Sequence, residues 1–80
     1  MELGDILFEK DIINEALYAY EKAFLALPQK VEILIKISKC YLKLGQFKAA
    51  REALYQAIRI NPHNQLIVDK LKLIENQLNQ

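Results

Sequence analysis

Cysteine occurs once in these 80 residues, as Cys40, so no disulfide can close within the chain. That excludes the disulfide frameworks of small secreted domains and makes a reducing, cytoplasmic setting the expectation. Glycine and proline occur twice each. There is no Gly/Ser linker and no low-complexity tract, so residues 1–80 read as a single domain. Histidine occurs once, as His63 in a loop, and no His/Cys/carboxylate cluster has metal-ligand spacing. No glycine-rich loop could cradle a phosphate. Cys40 has no histidine in a nucleophile arrangement and reads as a small buried hydrophobe. These absences argue against an enzyme and against any cofactor or metal. No apolar run reaches the ~18 residues needed to cross a bilayer, and the longest, 33–37, is broken by Lys36. Membrane insertion is not expected. A net charge of +1 gives no strong electrostatic hold on nucleic acid.

Apolar residues make up 52% of the chain and are dominated by Leu, Ile and Ala, which with abundant Lys suits helices more than sheets. The expected fold class is all-α, with five helices at about 2–9, 12–26, 31–44, 47–60 and 65–78. Pro28 stops the second helix and Asn61–Pro62 the fourth. Gly45 ends the third in a left-handed conformation. Asp11 stands at the equivalent place in the first turn, where it can adopt the same conformation and can also cap the next helix. In the third helix Leu34, Ile37, Tyr41 and Leu44 recur at helical spacing, as do Ala50, Leu54, Ala57 and Ile58 in the fourth. Loops of two to four residues force consecutive helices to lie antiparallel as neighbours.

Ala16, Tyr20, Ala23 and Pro28 return as Ala50, Leu54, Ala57 and Pro62, each 34 residues later. That is the period of a two-helix repeat. Residues 31–64 carry Leu34, Ile37, Tyr41, Gly45, Ala50, Leu54, Ala57 and Pro62, and in this they resemble the tetratricopeptide repeat. Ser38 replaces the usual Gly or Ala and is small enough to be tolerated. An earlier copy runs from Leu3 and Gly4 through Leu7, Ala16, Tyr20, Ala23 and Pro28, with its first four positions missing. Val68 and Leu71 align residues 65–80 with the first helix of a third copy, a closing helix. The pentatricopeptide repeat is the nearest confusable family; the two prolines and the Gly45 turn favour the tetratricopeptide pattern. The resemblance implies a right-handed α-solenoid with repeats at about 1–30 and 31–64 and a capping helix at 65–80. It implies that first helices line a concave groove for a peptide or helix of a partner protein, with second helices forming the convex back.

Charge is distributed unevenly. Residues 1–30 hold three lysines against six acids, and residues 31–64 six basic residues against two acids. Lys36, Lys39 and Lys43 share one face of the third helix, and Lys70 repeats the register of Lys36. With Ile35, Leu42 and Leu73 as apolar contacts, they form the candidate groove site, suited to an acidic peptide. Glu2, Asp5 and Glu9 occupy the matching positions one repeat earlier. A ladder of Glu2–Lys36, Asp5–Lys39 and Glu9–Lys43 would compete for the same lysines at about 0–1 kcal/mol per exposed pair. The carboxylate clamp of some family members is not expected, because Asp5, Lys36, Leu66 and Lys70 stand at its positions. Tyr18 and Leu25 point to the convex side. Fewer than three repeats, a clipped first helix and apolar Leu66 and Leu73 on the last leave uncovered edges. These support a second expectation, a fragmentary or self-associating repeat that stacks head-to-tail or swaps into homo-oligomers.

Overall fold

The computed structural model describes residues 2–79, without the side chain of Glu2. The chain is all-α: α1 (Glu2–Glu9), α2 (Ile13–Ala26), α3 (Val31–Lys43), α4 (Phe47–Ile60) and α5 (Gln65–Leu78). Each helix packs on the next in the chain. α1, α3 and α5 form one layer, with α2 and α4 behind it. The molecule is a slab of 31 × 27 × 15 Å.

Two turns, 34 residues apart, are built alike. Gly45 has φ +75° and Asp11 has φ +64°. After α3 the Gln46 N–H donates to Tyr41 O at 2.9 Å and the Gly45 N–H to Leu42 O at 3.1 Å. After α1 the Ile12 N–H donates to Leu7 O at 2.9 Å and the Asp11 N–H to Phe8 O at 3.0 Å. Both are Schellman closures, which satisfy carbonyls that a helix end otherwise leaves orphaned. Asp11 therefore serves its turn through the backbone alone. The expected side-chain cap is absent: Ile12 is the N-cap of α2 and no side chain bonds there. α2 consequently starts one residue later than the pattern suggested. α3 ends one residue earlier, because Leu44 already belongs to the closing turn. The only N-cap made by a side chain in α2 to α5 is at α5, where Asn64 Oδ1 accepts the Leu66 N–H at 3.0 Å.

α3 is the centre of the core. It buries Ile33, Leu34, Ile35, Ile37, Ser38 and Cys40. It can do so because its neighbours meet it with small residues: Ala16 from α2, and Ala50, Ala53 and Ala57 from α4, all buried. Larger side chains, among them Leu54 and Ile67, fill the spaces between them. Ser38, at the position that departs from the family pattern, is fully buried and donates its hydroxyl to Ile35 O at 2.6 Å. No polar group of Ser38 is left unsatisfied by that burial. α5 closes the core with Ile67, Leu71 and Ile74, and Tyr55 on α4 ties to it by donating to Glu75 Oε2 at 3.0 Å.

Two glycines are required for different reasons. A Cβ on Gly4 would stand 2.5 Å from Tyr20 Cε1 and 2.8 Å from Cδ1, against a ring that is itself buried. A Cβ on Gly45 would meet nothing within 4 Å, so only its backbone conformation resists substitution. Gly45→Ala is expected to cost about 1 kcal/mol in urea denaturation, the strain of a left-handed L-residue. Gly4→Ala is expected to cost about 1–3 kcal/mol, because the overpacked ring has nowhere to move. Burial pushes the Cys40 thiol up to about 11. Alkylation by iodoacetamide at neutral pH should be slow in the folded protein and become fast when urea unfolds it.

Candidate interaction surface

The lysines of α3 stand on the layer shared with α1 and α5, and their environments differ. Lys36 is half-buried. Its Nζ lies 2.7 Å from Asp5 Oδ1, with 29% of the Lys36 side chain and 45% of the Asp5 side chain exposed. The same oxygen accepts the Tyr20 hydroxyl from α2. Lys36 Nζ also lies 5.8 Å from the centroid of the Tyr20 ring. Asp5, Lys36 and Tyr20 thus tie three helices together at one carboxylate. The Lys36 ammonium, and then the Tyr20 hydroxyl, hold the Asp5 carboxyl below its ordinary value. Burial first, and then the bond to Asp5, push the Tyr20 phenol far up.

This pairing differs from the expected ladder. Asp5 meets Lys36, not Lys39, and this is the only ion pair among the described residues. Glu9 and Lys43 do not reach each other, and the Glu2 rung lies outside the described side chains. The reason is Tyr20. Its hydroxyl comes up between α1 and α3 and fixes Asp5 Oδ1, so the carboxylate meets the lysine nearest that anchor.

Lys39 and Lys43 are exposed. Lys39 borders a hollow of about 220 Å³ whose walls include Asp5, Phe8, Glu9, Tyr20 and Lys36. Lys70 on α5 is half-buried, and its ammonium is pulled below the ordinary lysine value by burial and then by the positive charge of Lys39. The two cations are close enough to oppose each other. Leu42, Phe47, Lys70, Leu73, Ile74 and Gln77 line a second hollow of about 300 Å³ on the same layer. Leu73 is 67% exposed there. Ile35 is placed differently: at 8% exposure it belongs to the core and supports this face from beneath. Phe8, a groove position by its register on the first helix, borders the first hollow. Phe47 borders the second; its register carries no signal, since it opens α4, where the neighbouring helix determines what it faces. Tyr18 and Leu25 lie away from this face.

Among the described residues no group of three His, Cys, Asp or Glu could hold a metal ion. No described helix is long and apolar enough to cross a membrane. A surface of hollows, lysines and leucines can hold another molecule.

A family model described as "Tetratricopeptide repeat" matches residues 7–72. A comparison with curated proteins returned no match.

The Asp5 pairing carries a pH signature. A carboxyl depressed in the folded state contributes stability above its unfolded value and loses it as pH falls through the folded one. Asp5→Asn should therefore lower stability at pH 7 by about 1 kcal/mol or less, since the pair is largely solvated. The gap between variant and wild type, followed by urea denaturation, should close as pH drops below the ordinary carboxyl value of 3.8.

Proposed function

The chain belongs to the tetratricopeptide repeat family, and we propose that it is a binding scaffold whose α1–α3–α5 face holds an acidic, apolar-anchored segment of a partner protein. Repeats of this family generally mediate protein–protein interaction, and family members are typically scaffolds without catalytic activity. The observation that carries the finer reading is the placement of two lysines on that face: Lys39 borders one hollow and half-buried Lys70 lines the next. Neither has a carboxylate within ion-pair distance among the described residues. An anionic side chain of a ligand beside Lys70 offsets the cost of its burial. Lys43, on the same helix face, extends the basic stripe. Lys36 is held by Asp5 and contributes mainly shape and field. Leu42 and Leu73 supply the apolar contacts, and the hollow they share with Ile74 accepts one apolar side chain of the ligand. Ile35 stiffens the floor.

A second reading rests on the free edges. Leu3 and Ile6 on α1 are 64% and 49% exposed, and Leu66 on α5 is 54% exposed. Such edges suit stacking on another copy, the acidic first repeat against the basic second. Sedimentation over a concentration series separates the two, since the scaffold reading expects a monomer throughout.

The scaffold reading is tested by fluorescence anisotropy with a labelled ten-residue peptide of alternating Glu and Leu. Lys39→Glu should weaken binding about tenfold or more, which is about 1.4 kcal/mol. Raising salt should weaken wild-type binding as well, because the screening length falls from ~8 Å at physiological ionic strength to ~3 Å at 1 M. Equal affinity in wild type and Lys39→Glu, or binding by neither, would sink the proposal.

A further inference from the structure

The opposite side of the slab carries a larger concavity. α2 and α4 each pack extensively on α3 and far less on each other. The gap between them is a cleft of about 730 Å³, against about 220 Å³ for the hollow beside Asp5. Its floor is Leu34, Ile37 and Tyr41 of α3, at i, i+3 and i+7. One wall is Tyr18, Glu21 and Leu25 of α2, again at i, i+3 and i+7. The other is Ala49, Glu52, Ala53 and Gln56 of α4. Each run covers two helical turns, about 10 Å.

We propose that this cleft docks a short amphipathic helix of a partner protein, one that carries a lysine or arginine beside its apolar stripe.

Three observations specify that occupant. The first is the apolar interior. Leu25 is 82% and Tyr18 61% exposed. Single exposed residues of this kind are ordinary, but these two form the wall of a trough with an apolar floor. The second is the backbone. Every wall and the floor of the cleft are helices, whose N–H and C=O groups are already paired along their length. An extended peptide would bury its own backbone here without partners, whereas a helix brings its hydrogen bonds with it. Ala49 and Ala53 keep the α4 wall low, which lets another helix come close. The third is charge. Glu21 and Glu52 stand on opposite walls. Glu21 Oε2 receives the Tyr41 hydroxyl at the long distance of 3.5 Å and keeps most of its accepting capacity. Lys22, the one cation of the lining, lies with its Nζ 5.0 Å from the centroid of the Tyr18 ring, at the rim. The negative charge of Glu21 is felt in the floor, where it helps to raise the Tyr41 hydroxyl and the Cys40 thiol after burial has done so. A cation on the incoming helix finds a carboxylate on either wall. The two sides of the slab therefore prefer ligands of opposite charge.

The test uses a labelled 14-residue alanine-based helical peptide with leucines at i, i+4, i+7 and i+11 and flanking lysines, followed by anisotropy. Saturable binding to the wild type is expected. Leu25→Glu should weaken it at least fivefold, and so should Glu21→Lys combined with Glu52→Lys. Glutamates in place of the peptide's lysines should cost a similar factor, and Lys39→Glu should change nothing. All the substituted side chains are exposed, and unchanged helical circular dichroism verifies each fold. The proposal is overturned by an absence of saturable binding, by full affinity in Leu25→Glu, or by loss of binding in Lys39→Glu. It is overturned equally if the wild type sediments as an oligomer that Leu25→Glu dissociates, because the occupant would then be a second copy.

Discussion

Burial of α3 is possible only because small residues surround it. A helix that hides six of its thirteen residues needs its neighbours at close range, and alanines at 16, 50, 53 and 57 allow that approach. Each fully exposed apolar side chain of this size forgoes roughly 1.5–3 kcal/mol of burial, so a domain this short depends on a well-filled centre. The other parts follow. With α2 and α4 seated on α3, they stand apart and leave a cleft between them. With α1 and α5 flanking α3 on the other layer, the polar side of α3 becomes the middle of a continuous face. Gly4 obeys the same rule at the edge, where only the absence of a Cβ lets α1 lie against the Tyr20 ring.

Charge is organised by that packing rather than by pairing along the chain. The acidic first repeat and the basic second repeat suggested mutual neutralisation over three rungs. Among the described residues a single ion pair forms, Asp5–Lys36, outside the expected register, and it is fixed by a tyrosine from a third helix. The remaining lysines are left to solvent or to a ligand. Lys70 is the informative member, since it is half-buried in a hollow lined by apolar side chains and one amide, Gln77. On the reverse side Glu21 and Glu52 face each other across an apolar trough. A protein with near-zero net charge thus carries lysines on one face and carboxylates beside a cleft on the other, a distinction its total charge conceals.

Helix positions, the two left-handed turns and the family were all legible in the residue pattern. Each depends on local stereochemistry or on a short periodicity. Pro28 and Pro62 cannot continue a helix, Gly45 and Asp11 tolerate positive φ, and a repeat at 34 residues fixes which faces are buried. The small errors were also local. Asp11 did not cap α2, because the residue that closes one helix through its backbone stands one position too early to cap the next. The pattern puts Ile35 on the open face, yet its stretch of α3 is covered on more sides than a one-sided amphipathic pattern implies.

Which charges meet was decided only in three dimensions. Sequence placed Asp5 and the lysines on facing helices but had no means of weighing the Tyr20 hydroxyl, which arrives from another element and selects Lys36. The same holds for the cleft. The pattern puts Tyr18 and Leu25 on the convex side as a candidate second contact, but nothing in their order says that α3 lays an apolar floor beneath them. Periodicity along one helix determines what that helix hides. The distance between α2 and α4, and hence the shape left between them, depends on the third helix, α3, on which both pack.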